Sequence, residues 1–275
     1  MRSLPPMITA DVAKRILAGE TRVSLDLGLT ISVVSMEGGF YHLLGHVVSS
    51  DDMGEVAGRE NAIFFPDGGS LFQVAVAAGG YYKLVPTSKA PTIEIDGVRM
   101  HRTKETTPDA DTGEKLGILG LKGGMVLDTC MGLGYTAIGA LDRGAEAVVS
   151  VERQPPVVRV AEMNPWSRHL FEGDVSLLLG DSFFTIDSLP DGFFDWVIHD
   201  PPRLTHAGDL YSEEFYTKLF RVMSDGGRLF HYTGEPRSRY RGVDLQKGVQ
   251  RRLRAAGFRG TEYHPGVMGV TCEKN

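Results

Sequence analysis

Residues 126–141 read VLDTCMGLGYTAIGAL. An apolar run closes on the acid Asp128, a turn carries Gly132 and Gly134, and apolar residues then recur at helical spacing. The order strand, glycine turn, helix opens an α/β unit. Glycines at such a turn let a ligand approach the backbone, and the helix N-terminus that follows adds unpaired N–H groups. Taken alone, the GxG spacing fits a nucleotide-phosphate loop and a plain tight turn equally well.

Downstream of this stretch, strand-like and helical runs alternate: AEAVVSVE, PPVVRVAEMN, VSLLLGDS, FFDWVIHD, DLYSEEFYTKLFRVM, GRLFHYTG, DLQKGVQRRLRAAGF and GVMGVTCE. Alternation of this kind predicts an α/β fold, a mostly parallel Rossmann-like sheet with helices on both faces, whose ligands bind beyond the carboxyl ends of the strands. Upstream, to about residue 105, the runs are short and strand-like with glycine or aspartate turns between them. A single helical stretch, TADVAKRILAG, precedes them. RTKETTPDADTGEKLG (102–117) shows no apolar periodicity before Leu116 and reads as a linker entering a helix. We therefore expect a small β-rich accessory domain over 1–105 and the sheet domain over 106–275.

At 275 residues, with 42% hydrophobic and 23% charged side chains, the chain has ordinary globular composition and enough material for one large or two smaller domains. No apolar run approaches the roughly 18 residues of a membrane span, and the first residues lack a signal-peptide apolar region, so a cytoplasmic protein with no membrane partner is expected. Cys130 and Cys272 are too few for a disulfide framework and lie in no metal-like cluster. His199 and His231 read as satisfied core histidines, and no metal site is expected.

Further acids punctuate the strand ends. Glu152 closes the second strand, where an acid can accept from two ribose hydroxyls. Asp181, in GDSFF after the third, is placed to accept from an adenine amino group or to cap the next helix, and Phe183 to cover a base. With the Asp128 turn, these positions resemble the class I S-adenosylmethionine-dependent methyltransferases over residues 115–275. The resemblance implies S-adenosylmethionine as cofactor. It places Asp128, Cys130, Gly132, Gly134, Tyr135 and Thr136 around the methionine part, Glu152 and Arg153 at the ribose, and Asp181, Ser182 and Phe183 near the adenine. Cys130 also reads as a small packing residue. An intact dinucleotide fingerprint would have its third glycine where Ala137 stands.

The fourth strand ends in Asp200-Pro201-Pro202-Arg203, and two consecutive prolines cannot continue a sheet ladder. The segment is similar to the Asp-Pro-Pro-aromatic signature of methyltransferases that act on exocyclic amino groups of bases. The resemblance implies that Asp200 and the Pro201 carbonyl each accept one N–H of the amine, while Pro202 stiffens the turn. Arg203 replaces the usual aromatic residue, and it stacks on a base, holds a phosphate or simply pairs with an acid. No cysteine stands at 203, which disfavours carbon methylation.

The formal net charge is −6, but Gly234–Arg259 carries eight bases and two acids, a local +6 that leaves −12 elsewhere. Arg237, Arg239 and Arg241 lie ahead of a helix whose stripe of Leu245, Val249, Leu253 and Ala256 is apolar and whose other face holds Lys247, Arg251 and Arg254. These six bases form either a solvated face or a grip on RNA phosphates. The catalytic half, with DTCMGLGYTA, DPPR and HYTGEP, resembles archaeal predicted RNA methyltransferases of the rRNA dimethylcytidine synthase type, which implies rRNA as partner and the cytosine 4-amino group as target. A polyamine-type amine methyl- or aminopropyltransferase and a non-catalytic RNA-binding domain are the rival readings.

Overall fold

A computed structural model describes residues 4–202, 207–234 and 245–275. The chain divides into two units, one formed by residues 110–155 with 169–275 and the other by 1–109 with 156–168.

The larger unit is built on seven strands: β1 (Met125–Asp128), β2 (Ala147–Glu152), β3 (Val175–Leu179), β4 (Phe194–His199), β5 (Met223–Tyr232), β6 (Arg259–His264) and β7 (Gly269–Glu273). They lie in the order β3-β2-β1-β4-β5-β7-β6. All neighbours from β3 to β5 are parallel, whereas β7 runs antiparallel to both β5 and β6. Val126, Leu127, Val148, Val151, Val197 and Ile198 are at most 2% exposed, as expected of strands covered on both faces. Strand order reverses between β1 and β4, so the chain leaves their carboxyl ends in different directions and opens a crevice there.

Five helices of this unit bear on the site: α1 (Pro108–Leu119), α2 (Tyr135–Leu141), α3 (Ser182–Thr185), α4 (Glu213–Val222) and α5 (Leu245–Ala255). α4 carries its apolar stripe Phe215, Tyr216, Leu219 and Val222 into a core shared with Phe194, Val197, Leu229, Val249 and Leu253. On α5 the buried positions are Gln246, Val249 and Leu253, and Leu245 is half-buried.

α1 overturns one expectation. The segment read as a linker up to residue 117 is helical from Pro108. Its inward face carries the buried Asp111, Thr112 and Lys115 ahead of Leu116 and Leu119, so the apolar periodicity that announces a helix is missing from its first two turns.

The other unit holds three small antiparallel sheets. Ile8, Val12 and Ile16 pack with Val34, Leu43, Val48, Met53 and Val56. Thr9 caps the helix Ala10–Leu17 by accepting from Val12 N–H at 3.2 Å. A second helix, Ser50–Ala57, corrects the expectation of a single one; it is short, and Gly54 interrupts its pattern. Trp166 and Asn164 belong to this unit, where Asn164 Oδ1 accepts from the Trp166 N–H and the indole donates to the Leu27 carbonyl at 3.0 Å.

Candidate active site at the strand tips

The turn after β1 is tied to both neighbouring strands: Thr129 N–H donates to the Ile198 carbonyl at 3.1 Å and Met131 N–H to the Val151 carbonyl at 2.9 Å. Gly134 has a φ of +77°, and a Cβ there would sit 2.6 Å from Leu170 Cδ2, so both backbone and space require glycine. As N-cap of α2 it offers no side chain to the N–H groups behind it.

Asp128 is fully buried at the centre of this turn. One carboxylate oxygen accepts from Ser150 Oγ at 2.8 Å and Thr136 Oγ1 at 3.1 Å, the other from Cys130 N–H at 3.4 Å. Burial pushes its carboxyl up to about 6 despite these donors. The carboxylate is enclosed by its own chain and shapes the turn. Tyr135 and Thr136 are likewise buried. Cys130 sits beside Asp128, Glu152 and Asp200; burial and then the charges of these acids push its thiol up, which suits packing and not nucleophilic attack.

At the tip of β2, Glu152 Oε2 accepts from Gly132 N–H at 3.1 Å and Oε1 from Gln154 N–H at 2.8 Å. Each oxygen keeps a lone pair for a further donor. Burial raises this carboxyl too, against the pull of those backbone bonds. Next to it, the buried Oε1 of Gln154 has no hydrogen-bond partner among the described residues. At the tip of β3, Asp181 caps α3 by accepting from Phe183 N–H at 3.0 Å, and the exposed Arg153 reaches its other oxygen at 3.4 Å. Ser182 Oγ donates to the Thr129 carbonyl at 2.5 Å, which pins α3 to the β1 turn. Phe183 is half-buried, with the Lys218 ammonium 4.3 Å from its ring centroid.

Asp200 follows β4 directly. Its Oδ2 accepts from Lys115 Nζ at 2.6 Å, and the same ammonium reaches Asp111 Oδ2 at 2.8 Å and lies 4.5 Å from the Tyr232 ring centroid. Burial disfavours the Lys115 charge, but Asp200 and Asp111 outweigh it and push the ammonium up to about 12. Asp200 is 24% exposed and its Oδ1 accepts no hydrogen bond among the described residues. The Pro202 carbonyl is taken by the Tyr211 hydroxyl at 3.1 Å, whereas that of Pro201 has no donor among the described residues. Lys115, Asp111 and Tyr211 are contacts that sequence reasoning missed. The i,i+4 spacing of Asp111 and Lys115 in DADTGEK was the available signal.

His199 and His231 are fully buried and hydrogen-bonded. Among the described residues, no group of three or more His, Cys, Asp or Glu side chains could hold a metal. Lys247, Arg251 and Arg254 are exposed on α5. Arg203, Arg237, Arg239 and Arg241 lie outside the described residues.

A mostly parallel sheet in this order, with a glycine turn after its first strand and acids at the next two strand tips, defines the class I methyltransferase fold. Solved structures agree on the fold. A spermidine synthase in complex with the transition-state analogue AdoDATO matches at a TM-score of 0.58 and 17% identity over 73% of each chain. Spermidine synthase from Thermotoga maritima matches at 0.55 and 17% identity, covering 72% of this chain and 70% of that one. In sequence, the model of the family described as Conserved hypothetical protein 95 matches residues 100–222. Polyamine aminopropyltransferase 2 of Streptomyces coelicolor is 35% identical over 131 residues, 45% of this chain and 23% of that protein. The uncharacterized protein MJ1233 of Methanocaldococcus jannaschii is 47% identical over 97% of this chain and 95% of its own length, and the chain belongs to its family. No helix of the described residues is long and apolar enough to cross a membrane.

Proposed function

We propose that the protein is an S-adenosylmethionine-dependent methyltransferase acting on an exocyclic base amine of RNA, in its most specific form the 4-amino group of cytidine in rRNA. One juxtaposition carries this reading. The glycine turn, suited with Glu152 on the next strand to a nucleoside with a cationic sulfur, lies on the strand tip adjoining the one that presents Asp200 and the Pro201 carbonyl.

The residues fit the cofactor. Glu152 keeps lone pairs for the ribose hydroxyls, the orphaned Gln154 Oε1 is a further acceptor beside it, and α2 begins without a side-chain cap. When bound, S-adenosylmethionine supplies an electrophilic methyl group. The chain's own task is to ready the acceptor, because an arylamine conjugates its lone pair into the ring and is a weak nucleophile. Asp200 Oδ1 and the Pro201 carbonyl, each accepting one N–H, draw the nitrogen toward tetrahedral geometry and localise that pair. The nitrogen would take the methyl as the carbon–sulfur bond breaks, the sulfur keeping that pair as a neutral thioether, and would shed one proton, which Asp200 can receive and pass to solvent.

A second reading, aminopropyl transfer to a polyamine, is favoured by the 35% identity to Polyamine aminopropyltransferase 2. Mass spectrometry of nucleosides from rRNA and tRNA, with and without the gene, tests the first reading directly. Loss of one methylated base amine is expected, and an unchanged profile with altered cellular polyamines would favour the second. On the RNA so identified, Asp200→Ala should lower the single-turnover rate by roughly two or more orders of magnitude with S-adenosylmethionine affinity nearly intact, and Asn should retain more activity than Ala. Full activity in Asp200→Ala would make the strand tip a structural stop.

A further inference from the structure

We propose that Lys115 is the residue that selects a neutral arylamine over an alkylammonium at Asp200, an inference that rests on the amine-methyltransferase reading above. Lys115 Nζ lies 2.6 Å from Asp200 Oδ2 and 2.8 Å from Asp111 Oδ2, and its side chain is only 6% exposed. One ammonium therefore sits between the two carboxylates. A spermidine-type substrate brings its own ammonium, and the place where such a cation would pair with Asp200 Oδ2 is already filled from within the chain.

Two consequences separate the substrate classes. First, a protonated amine has no lone pair to give, so a carboxylate that binds it as an ammonium also holds it unreactive. At Asp200 a second ammonium would also face the charge of Lys115, which weakens its binding. Second, an arylamine enters neutral and becomes positive only as the nitrogen–carbon bond forms. The Asp200 carboxylate, presented through Oδ1, then meets charge that develops during transfer rather than charge already present. Lys115 does not touch the reacting atoms in this scheme. It fixes which oxygen of Asp200 faces the acceptor, and Asp111 and the Tyr232 ring hold the ammonium in place.

The test compares Lys115→Met and Lys115→Arg with the native protein in three measurements: S-adenosylmethionine affinity, spermidine affinity by calorimetry, and methyl transfer to an unmodified rRNA transcript. Lys115→Met should bind S-adenosylmethionine normally, bind spermidine at least about tenfold more tightly than the native protein, and lower kcat on RNA by about tenfold with little change in KM. Lys115→Arg, which keeps the cation, should exclude spermidine and recover most of the lost kcat. The double variant Asp111→Asn with Lys115→Met removes the buried carboxylate that the single change deprives of the Lys115 ammonium. It should admit spermidine as well, which covers a single variant too unstable to assay. Spermidine affinity equal to the native value in both Met variants, or loss of selectivity in Lys115→Arg, would overturn the proposal. Failure of the underlying reading shows elsewhere, in a native enzyme that transfers its group to spermidine and not to RNA.

Discussion

Thr129 Oγ1 and His199 Nδ1 lie 2.7 Å apart, joining the turn after β1 to the last residue of β4. His199 Nε2 faces the Leu210 carbonyl at 2.9 Å, which can only accept, so that nitrogen carries the proton and Nδ1 accepts from the Thr129 hydroxyl. His231 takes the other tautomer: its Nδ1 donates to the His199 carbonyl at 3.3 Å and its Nε2 accepts from the Tyr216 hydroxyl at 2.9 Å. One neutral imidazole thus ties together the glycine turn, the residue before Asp200 and the segment at Leu210.

Removing the hydroxyl from this link should be costly. Thr129→Val keeps the shape but leaves a buried ring nitrogen without its donor, and should lower stability by about 1 to 3 kcal/mol in urea unfolding. Thr129→Ser, which retains the donor, should stay near the native value. Equal stability of the Val variant would mean that the bond contributes nothing net.

Two buried groups titrate with opposite signs in the same pH range. Burial holds His199 down to about 4, below its ordinary 6.5, so the unfolded chain takes up the proton first and stability falls as pH drops from 6.5 toward 4. Burial holds Asp128 up at about 6, above its ordinary 3.8, so the folded chain takes up that proton first and regains stability as pH drops through 6. Asp128→Asn abolishes only the second effect. Its stability relative to native should therefore shift in favour of native by up to about 3 kcal/mol between pH 7 and pH 4, read from urea titrations at each pH. A difference independent of pH would show that Asp128 titrates as an ordinary carboxyl.

For the cofactor reading, Glu152 is the sharper probe, because its oxygens bind Gly132 N–H and Gln154 N–H while keeping lone pairs for a ligand. Glu152→Ala should weaken S-adenosylmethionine binding in calorimetry by about 1 to 3 kcal/mol. Unchanged affinity would place the ribose elsewhere.

The basic helix gives a salt-dependent prediction. If Lys247, Arg251 and Arg254 grip RNA, affinity should fall steeply with salt, and the variant combining Arg251→Ala with Arg254→Ala should lose up to about one unit of slope per phosphate contact removed. An identical slope would make α5 a solvated face.

Local patterns in the sequence determined the order of elements in the sheet unit. VLDTCMGLG reads as a strand running into a glycine turn because an apolar run stops at Asp128 before closely spaced glycines, and Gly134 indeed has positive φ and no room for a Cβ. Glu152, Asp181 and Asp200 could be placed at strand ends because apolar runs stop there. Other features were decided only by tertiary structure. The start of α1 was illegible because its first inward positions are Asp111, Thr112 and Lys115, with apolar residues only from Leu116, and the partner that makes Lys115 burial tolerable, Asp200, is far along the chain. Asp128 looked like a ligand-facing acid in one dimension, yet Ser150, from the neighbouring strand, and Thr136 enclose it. Periodicity reports which residues avoid water; it is silent on which distant donor meets a buried charge, and at this site those long-range pairings set the charge of the pocket.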